Sequence, residues 1–296
     1  LYIFSIAFFV LSLKWMSEVR TSRYGNLAAM AGMIIAVAAT LAAFQVQRID
    51  LMAVGLLAGA VIGTPIGLKV QMTAVPQRTA ISQAFGSLAA ALIGVAEYLN
   101  SVPNIDTFTM SVLAGEMVLG MLTFMGACIA YSKLQGLIPG KPYLYKGRNF
   151  ASILILIVTI ALAILLVVYQ SQVIFLMAMI PLALVFGFNL VMGIGGADMP
   201  AAIAILNSFA GLSAAALGFV LNNQILIVAG ALDGSSGFIL AVIMSQAMNR
   251  SFTNILFGSV GKTIEGEQQA QAGRVIQQYT VEDVATVLEG ARLVII

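Results

Sequence analysis

Nine long stretches of this chain carry almost no charge, and a chain built this way can fold only where something other than water solvates it. The runs are Leu1–Met16, Leu27–Phe44, Leu51–Leu68, Thr79–Leu99, Met110–Tyr131, Ala151–Tyr169, Val173–Met192, Met199–Leu221 and Ile225–Met248. About 20 apolar residues in a helix cross the hydrocarbon core of a bilayer. Backbone groups in lipid must pair within their own segment or close into a barrel, and these runs lack the alternation of barrel strands. Composition agrees: 60% of residues are hydrophobic, 9% are charged and the mean hydropathy is +1.02. The fold expected is therefore all-α, a polytopic membrane bundle of about nine transmembrane helices. The first run has neither a basic leader nor a cleavage site, so it reads as a span rather than a signal peptide.

Loop charges orient the bundle. Assigning successive loops to alternate sides puts Lys14, Arg20, Arg23, Lys69, Arg78, Lys133, Lys141, Lys146, Arg148 and Arg250 on one face and only Arg48 on the other. That asymmetry predicts a cytoplasmic C-terminus, because basic residues stay on the inner side. A net charge of +2, spread over short loops, argues against nucleic acid as a partner. The single cysteine, Cys128, lies in an apolar run and has no partner for a disulfide, and there is no histidine at all. The commonest metal ligand and the usual proton shuttle near neutral pH are thus both missing.

Small and polar residues inside the runs are the next signal. Gly55, Gly59, Gly63 and Gly67 recur every fourth residue, a spacing that predicts a groove for close helix packing, and Pro65 among them predicts a kink. Glu116 lies in the fifth run with Gly120, Thr123 and Ala127 on the same helical face. A carboxylate at the membrane centre costs about 2.5 to 3.5 kcal/mol. Glu116 is therefore either part of a proton path or a solvated residue near a helix end. Gln83 and Ser87, one turn apart, form a further polar face, and Asn207 and Ser208 sit inside the eighth run; each serves either a path or interhelical hydrogen bonds. Ser235 and Ser236 sit between glycines on the ninth run, and Asp233 lies near its non-cytoplasmic end. Asp198 follows Gly195-Gly196 and precedes Pro200, which reads as an N-cap and first turn, with glycines that allow a tight backbone approach.

After Arg250 the text changes. Residues 251–279 read as a polar linker and 280–296 as the start of a soluble α/β domain. Thr280-Val281-Glu282-Asp283 has capping-box spacing, and Val281, Val284, Ala285 and Leu288 predict a short amphipathic helix. Leu293–Ile296 predicts a strand with no partner in the chain.

Three motifs fall in a characteristic order: Gly195-Gly196-Ala197-Asp198-Met199-Pro200, Gly234-Ser235-Ser236-Gly237 and Met248-Asn249-Arg250-Ser251-Phe252. With Tyr24-Gly25-Asn26, Ala31-Gly32-Met33 and the helix–strand tail, they resemble the membrane part of the beta subunit of proton-translocating NAD(P) transhydrogenases, over nearly the whole chain. The resemblance implies a proton channel, residues 1–250, coupled to hydride transfer from NADH to NADP+ between soluble domains. By position it implies a proton path through Gln83, Asn207, Ser235 and Ser236, to which the buried-carboxylate reading adds Glu116, and coupling to the NADP(H) domain at Asp198 and Arg250. The chain stops before the glycine-rich fingerprint of that domain. It is thus expected to bind neither NADP(H) nor NAD(H), to hold no metal and to catalyse no hydride transfer alone. The partners implied are membrane lipid, a small membrane alpha subunit, an NAD(H)-binding subunit and a second protomer, in the bacterial cytoplasmic (inner) membrane. Gln83 stands where members often have a histidine, and glutamine does not change charge near neutral pH, so either the titrating group lies on another helix, with the separate small membrane subunit favoured, or protons pass through water, Glu116 and hydrogen-bonded amides. A secondary transporter binding a small solute at Asn207, Gln83 and Glu116 is the alternative, weakened by the absence of an obvious inverted repeat.

Overall fold

Polar residues flanking the apolar runs belong to the helices, so four helices start about a turn before the apolar text. The structure, a computed structural model, describes residues 1–43, 48–69, 71–249, 255 and 288–289. Among these are nine α-helices: α1 Tyr2–Met16, α2 Ser22–Ala43, α3 Ile49–Leu68, α4 Val75–Ser101, α5 Thr107–Leu134, α6 Arg148–Val168, α7 Val173–Met192, α8 Met199–Val220 and α9 Gln224–Ala247. No strand occurs among the described residues. Eight of the nine are long and apolar enough to cross a bilayer. The exception, α1, has 15 residues, about 22 Å of helix, less than the hydrocarbon thickness.

The extra turns have local causes. Pro76 occupies the first turn of α4, where its missing N–H costs nothing, and draws the start back from Thr79 to Val75. Asp106 caps α5, accepting a 2.9 Å hydrogen bond from the Thr109 amide, so the helix begins before the apolar run does. Hydrogen bonding from Thr109, through its hydroxyl first and its amide second, holds the Asp106 carboxyl below the usual aspartate range. A carboxyl lowered on folding contributes stability that is present above the ordinary aspartate range and lost as pH falls through the depressed value. The melting temperature of the protein in detergent is therefore expected to fall on acidification through that window. Asp106→Asn, which keeps an acceptor without the proton, should lose this part of the pH dependence.

Enclosure is uneven. Helix α5 lies against α4, α6, α7 and α8, while α8 also lies against α4 and α9. Glycines set the closest approaches. A Cβ at Gly211 would run into the backbone of Gly234, one at Gly230 into Ala215, and one at Gly237 would come within 2.7 Å of the Ser208 amide nitrogen. The predicted small face of the ninth run is thus a packing surface against α8. The glycine stripe of α3 behaves in the opposite way. Nothing lies within 4 Å of a Cβ built at Gly55, Gly59, Gly63 or Gly67, and α3 has no buried residue. The groove read from its spacing receives no helix among the described residues. Pro65 sits inside α3 without ending it.

The chain divides into two compact units, Leu1–Gly258 and Ser259–Ile296. In the second, Leu288 and Glu289 are described, and both are helical. The rest of the predicted tail helix, the terminal strand and Arg250 lie outside the described residues.

Candidate functional site

Glu116 is the tenth residue of α5, far enough into the helix that neither end supplies it with a partner. Its side chain is fully buried, which removes the reading of a solvated residue near a helix end. Ser213 of α8, also fully buried, lies with its Oγ 3.1 Å from Glu116 Oε1 and 3.3 Å from the Glu116 carbonyl oxygen. The other carboxyl oxygen, Oε2, has no hydrogen-bond partner among the described residues. Space for the carboxyl exists because α4 presents Gly94 there: a Cβ at that position would overlap Oε2. Gly94→Ala is therefore expected to cost about 1 to 3 kcal/mol by overpacking. It should also turn the carboxyl away from Ser213, which denaturant titration and a structure of the variant would check.

The seam continues along the same interface. Gly120, one turn beyond Glu116, lets α5 approach α4 and α8 closely. A Cβ there would stand 3.0 Å from the Ser87 carbonyl oxygen and 3.2 Å from Ser213 Oγ. The Ser87 hydroxyl, the Thr123 hydroxyl and both polar atoms of the Gln83 amide are buried without a hydrogen bond. Buried polar atoms in a native protein are almost always satisfied, by protein or by water. An accumulation of them on α4 and α5 beside a buried carboxyl marks this interface as polar and suited to water.

The remaining predicted path residues lie elsewhere. Asn207 faces α9, where its amide donates to Asp233 Oδ1 at 3.0 Å. Asp233, the tenth residue of α9, is thus paired and lies as far into its helix as Glu116 does, deeper than the non-cytoplasmic end at which the sequence placed it. Ser235 and Ser236 donate back into their own helix, to the carbonyls of Leu232 at 3.1 Å and Asp233 at 2.9 Å. Asn207 and Ser236 line an open, mainly apolar groove of about 750 Å³, bordered by Leu13, Pro76 and Ile239. Gln83 lies on α4 eleven residues before the Gly94 that makes room for Glu116, and the other predicted path residues fall at two places, Glu116 at the α5–α8 contact and Asn207 with the serine pair between α8 and α9, joined by no hydrogen bond among the described residues. Helix α8 contributes to both.

Asp198 occupies the N-cap position of α8 at the end of a short 3-10 turn, Gly196–Asp198, but its side chain makes no capping bond. The capping role expected for it is not what holds it. With φ −91° and ψ 0° its backbone is already turned into the helix, where a capping residue is usually extended. The loop in which it sits is held from outside. The Gly196 amide donates to the Gly140 carbonyl at 2.7 Å and the Tyr143 amide to that of Met192 at 2.9 Å. Lys133, counted above as a loop charge, is buried and donates to the carbonyls of Val191, Met192 and Ile194 at 3.2, 2.8 and 2.8 Å. Arg148 is buried as well and donates to the carbonyls of Asn189 at 2.6 Å and Leu190 at 3.3 Å. Neither destination follows from the sequence, where both cations look like positive-inside markers. No group of three His, Cys, Asp or Glu side chains that would hold a metal occurs among the described residues.

Comparison with known proteins places this geometry in a family. The family model described as NAD(P) transhydrogenase beta subunit matches residues 1–296. Two relatives named NAD(P) transhydrogenase subunit beta, from Rhodospirillum rubrum and from a named strain of the same organism, are each 37% identical over 306 residues, taking in 100% of this chain. The chain spans 65% of the length of those relatives. By a match that runs from its first residue to its last, this chain belongs to the NAD(P) transhydrogenase beta subunit family.

Proposed function

We propose that this chain is the membrane, proton-translocating part of an NAD(P) transhydrogenase, in which inward proton movement is coupled to hydride transfer from NADH to NADP+. The observation that supports it best is Glu116: a fully buried carboxyl hydrogen-bonded to Ser213 and continued by the unpaired polar atoms of Ser87, Thr123 and Gln83. An intramembrane ionisable group is a functional candidate because its cost is tolerated only for a use. In this reading Glu116 accepts and releases the proton, Ser213 orients its carboxyl, and the α4–α5 face guides water. Asn207, Asp233, Ser235 and Ser236 form the second polar station, where Asn207 steadies the Asp233 carboxyl.

Asp198 and Arg250 link the bundle to the NADP(H)-binding domain. Among the described residues no strand leads into a glycine-rich turn of the kind that seats a dinucleotide. Nucleotide binding and hydride transfer are accordingly assigned to soluble domains outside residues 1–249, with an NAD(H)-binding subunit and a small membrane alpha subunit as partners and a second protomer in the assembly. The location proposed is the bacterial cytoplasmic membrane with the C-terminus inside, on the basis of the loop charges. Family membership does not favour the solute-transporter reading.

The test is proton movement in proteoliposomes holding the full-length chain with its partner subunits, measured during hydride transfer from NADH to an NADP+ analogue. Proton flux that tracks hydride transfer and is lost in Asp198→Asn is the expected result. Hydride transfer without flux in the wild type would contradict the channel, and absence of both in an assembled complex would contradict the whole assignment.

A further inference from the structure

The C-terminal end of α7 is closed in an unusual way. Helices commonly end on a glycine in the left-handed conformation, whose amide and the next return to the last carbonyls at little cost. Gly193 stands at that position, yet its φ of −80° and ψ of −9° are right-handed. Its lack of a side chain serves another purpose, because a Cβ there would overlap the Arg148 guanidinium. Besides the Tyr143 amide on Met192 and the Ile194 amide on Val191, the carbonyls at this end are taken by two cations arriving from other helices. Lys133 takes Val191, Met192 and Ile194, while Arg148 takes Asn189 and Leu190.

Lys133 is the more informative of the two. An ammonium has three donors, and all three are spent here on carbonyls. The side chain is 5% exposed, and no carboxylate among the described residues lies within ion-pairing distance of it. Burying a charge this way is costly, and among the described residues the three hydrogen bonds and the negative end of the α7 dipole offset it. A simple helix stop needs no such arrangement. What Lys133 adds is a tie between two elements: it is the last turn of α5, whose tenth residue is Glu116, and it holds the turn that leads through Gly195-Gly196 to Asp198. Seventeen residues of continuous helix separate the two side chains, about 25 Å of rigid rod.

We propose that Lys133 is a positioning residue that fixes the Asp198 loop to the end of α5, so that displacement of the helix bearing Glu116 is passed to the coupling segment. This rests on the proton-translocating reading above. Coupling between separated sites needs a rigid connection between them, and a continuous helix latched at its end to a loop supplies one.

The experiment uses the full-length chain with its partner subunits in proteoliposomes. Protons moved per hydride are measured together with the mobility of a spin label on Ala197→Cys, an exposed position beside Asp198, with other cysteines replaced. In Lys133→Met hydride transfer is expected to persist, the label to become more mobile and the proton-to-hydride ratio to fall about fivefold or more. Lys133→Arg, which keeps a cation at the carbonyls, is expected to recover most of both. Should Lys133→Met fail to assemble, Lys133→Gln reads the same two quantities. Wild-type ratio and mobility in the neutral variant would overturn the proposal, as would a fallen ratio with an unchanged label or an arginine variant no better than methionine. A wild-type complex that transfers hydride without moving protons would instead overturn the reading beneath it.

Discussion

Glu116→Gln is expected to lower coupled proton movement in the assembled complex by about 100-fold or more, the scale on which positioned proton donors and acceptors act. The amide keeps the shape of the carboxyl and can still meet Ser213, so the bundle should assemble and melt much as the wild type does. What it removes is the capacity to carry a proton. Asn207→Leu acts at the other polar station and through another group. It leaves Asp233 without the 3.0 Å hydrogen bond it receives, so its effect on flux should be accompanied by lost stability. Flux in proteoliposomes and thermal melting of the same preparations separate the two. Wild-type flux in Glu116→Gln would place the path away from the α4–α5–α8 seam.

The largest effect on folding is expected at Gly211. Its missing Cβ would meet the backbone of Gly234, which cannot turn aside as a side chain can. Gly211→Val must therefore separate α8 from α9 along their length, at a cost of about 3 kcal/mol or more. The Asn207–Asp233 bond, one turn from that crossing, should break with it. Gly55→Val on α3 is the control, since a Cβ there meets nothing within 4 Å. It is expected to change the stability of the isolated chain in detergent by no more than about 0.5 kcal/mol. Denaturation in parallel checks both, and equal losses would contradict the packing described for α8 and α9.

The helices were legible because lipid leaves a chain few choices: an apolar run of sufficient length must satisfy its own backbone. Their ends were less so, since Pro76 and Asp106 act on the turn outside the apolar text. Whether a small-residue stripe packs was not legible at all. Gly230, Gly234 and Gly237 meet α8, whereas the more regular stripe of α3 meets nothing, and the spacing is the same kind of signal in both. Glu116 was visible as an intramembrane carboxyl, but its enclosure depends on Gly94 from another helix and on Ser213, which in the text Gly211-Leu212-Ser213-Ala214-Ala215 looks like one more small packing residue. Lys133 and Arg148 carry the right sign for a cytoplasmic loop, and their long stems let them reach inward to carbonyls that sequence does not point to. Asp198 marked the loop correctly as a polar turn before α8, while the bonds that hold the loop come from Gly140, Tyr143 and Lys133.

Whether Glu116 changes its proton occupancy during the coupled cycle decides the mechanism. Infrared difference spectroscopy of the full complex in lipid, recorded as NADP(H) is bound and released, reads carboxyl protonation directly. A protonated-carboxyl band that is absent in Glu116→Gln and displaced in Ser213→Ala is the result predicted. A difference spectrum in which no carboxyl band depends on Glu116, from a complex that still moves protons, would contradict it.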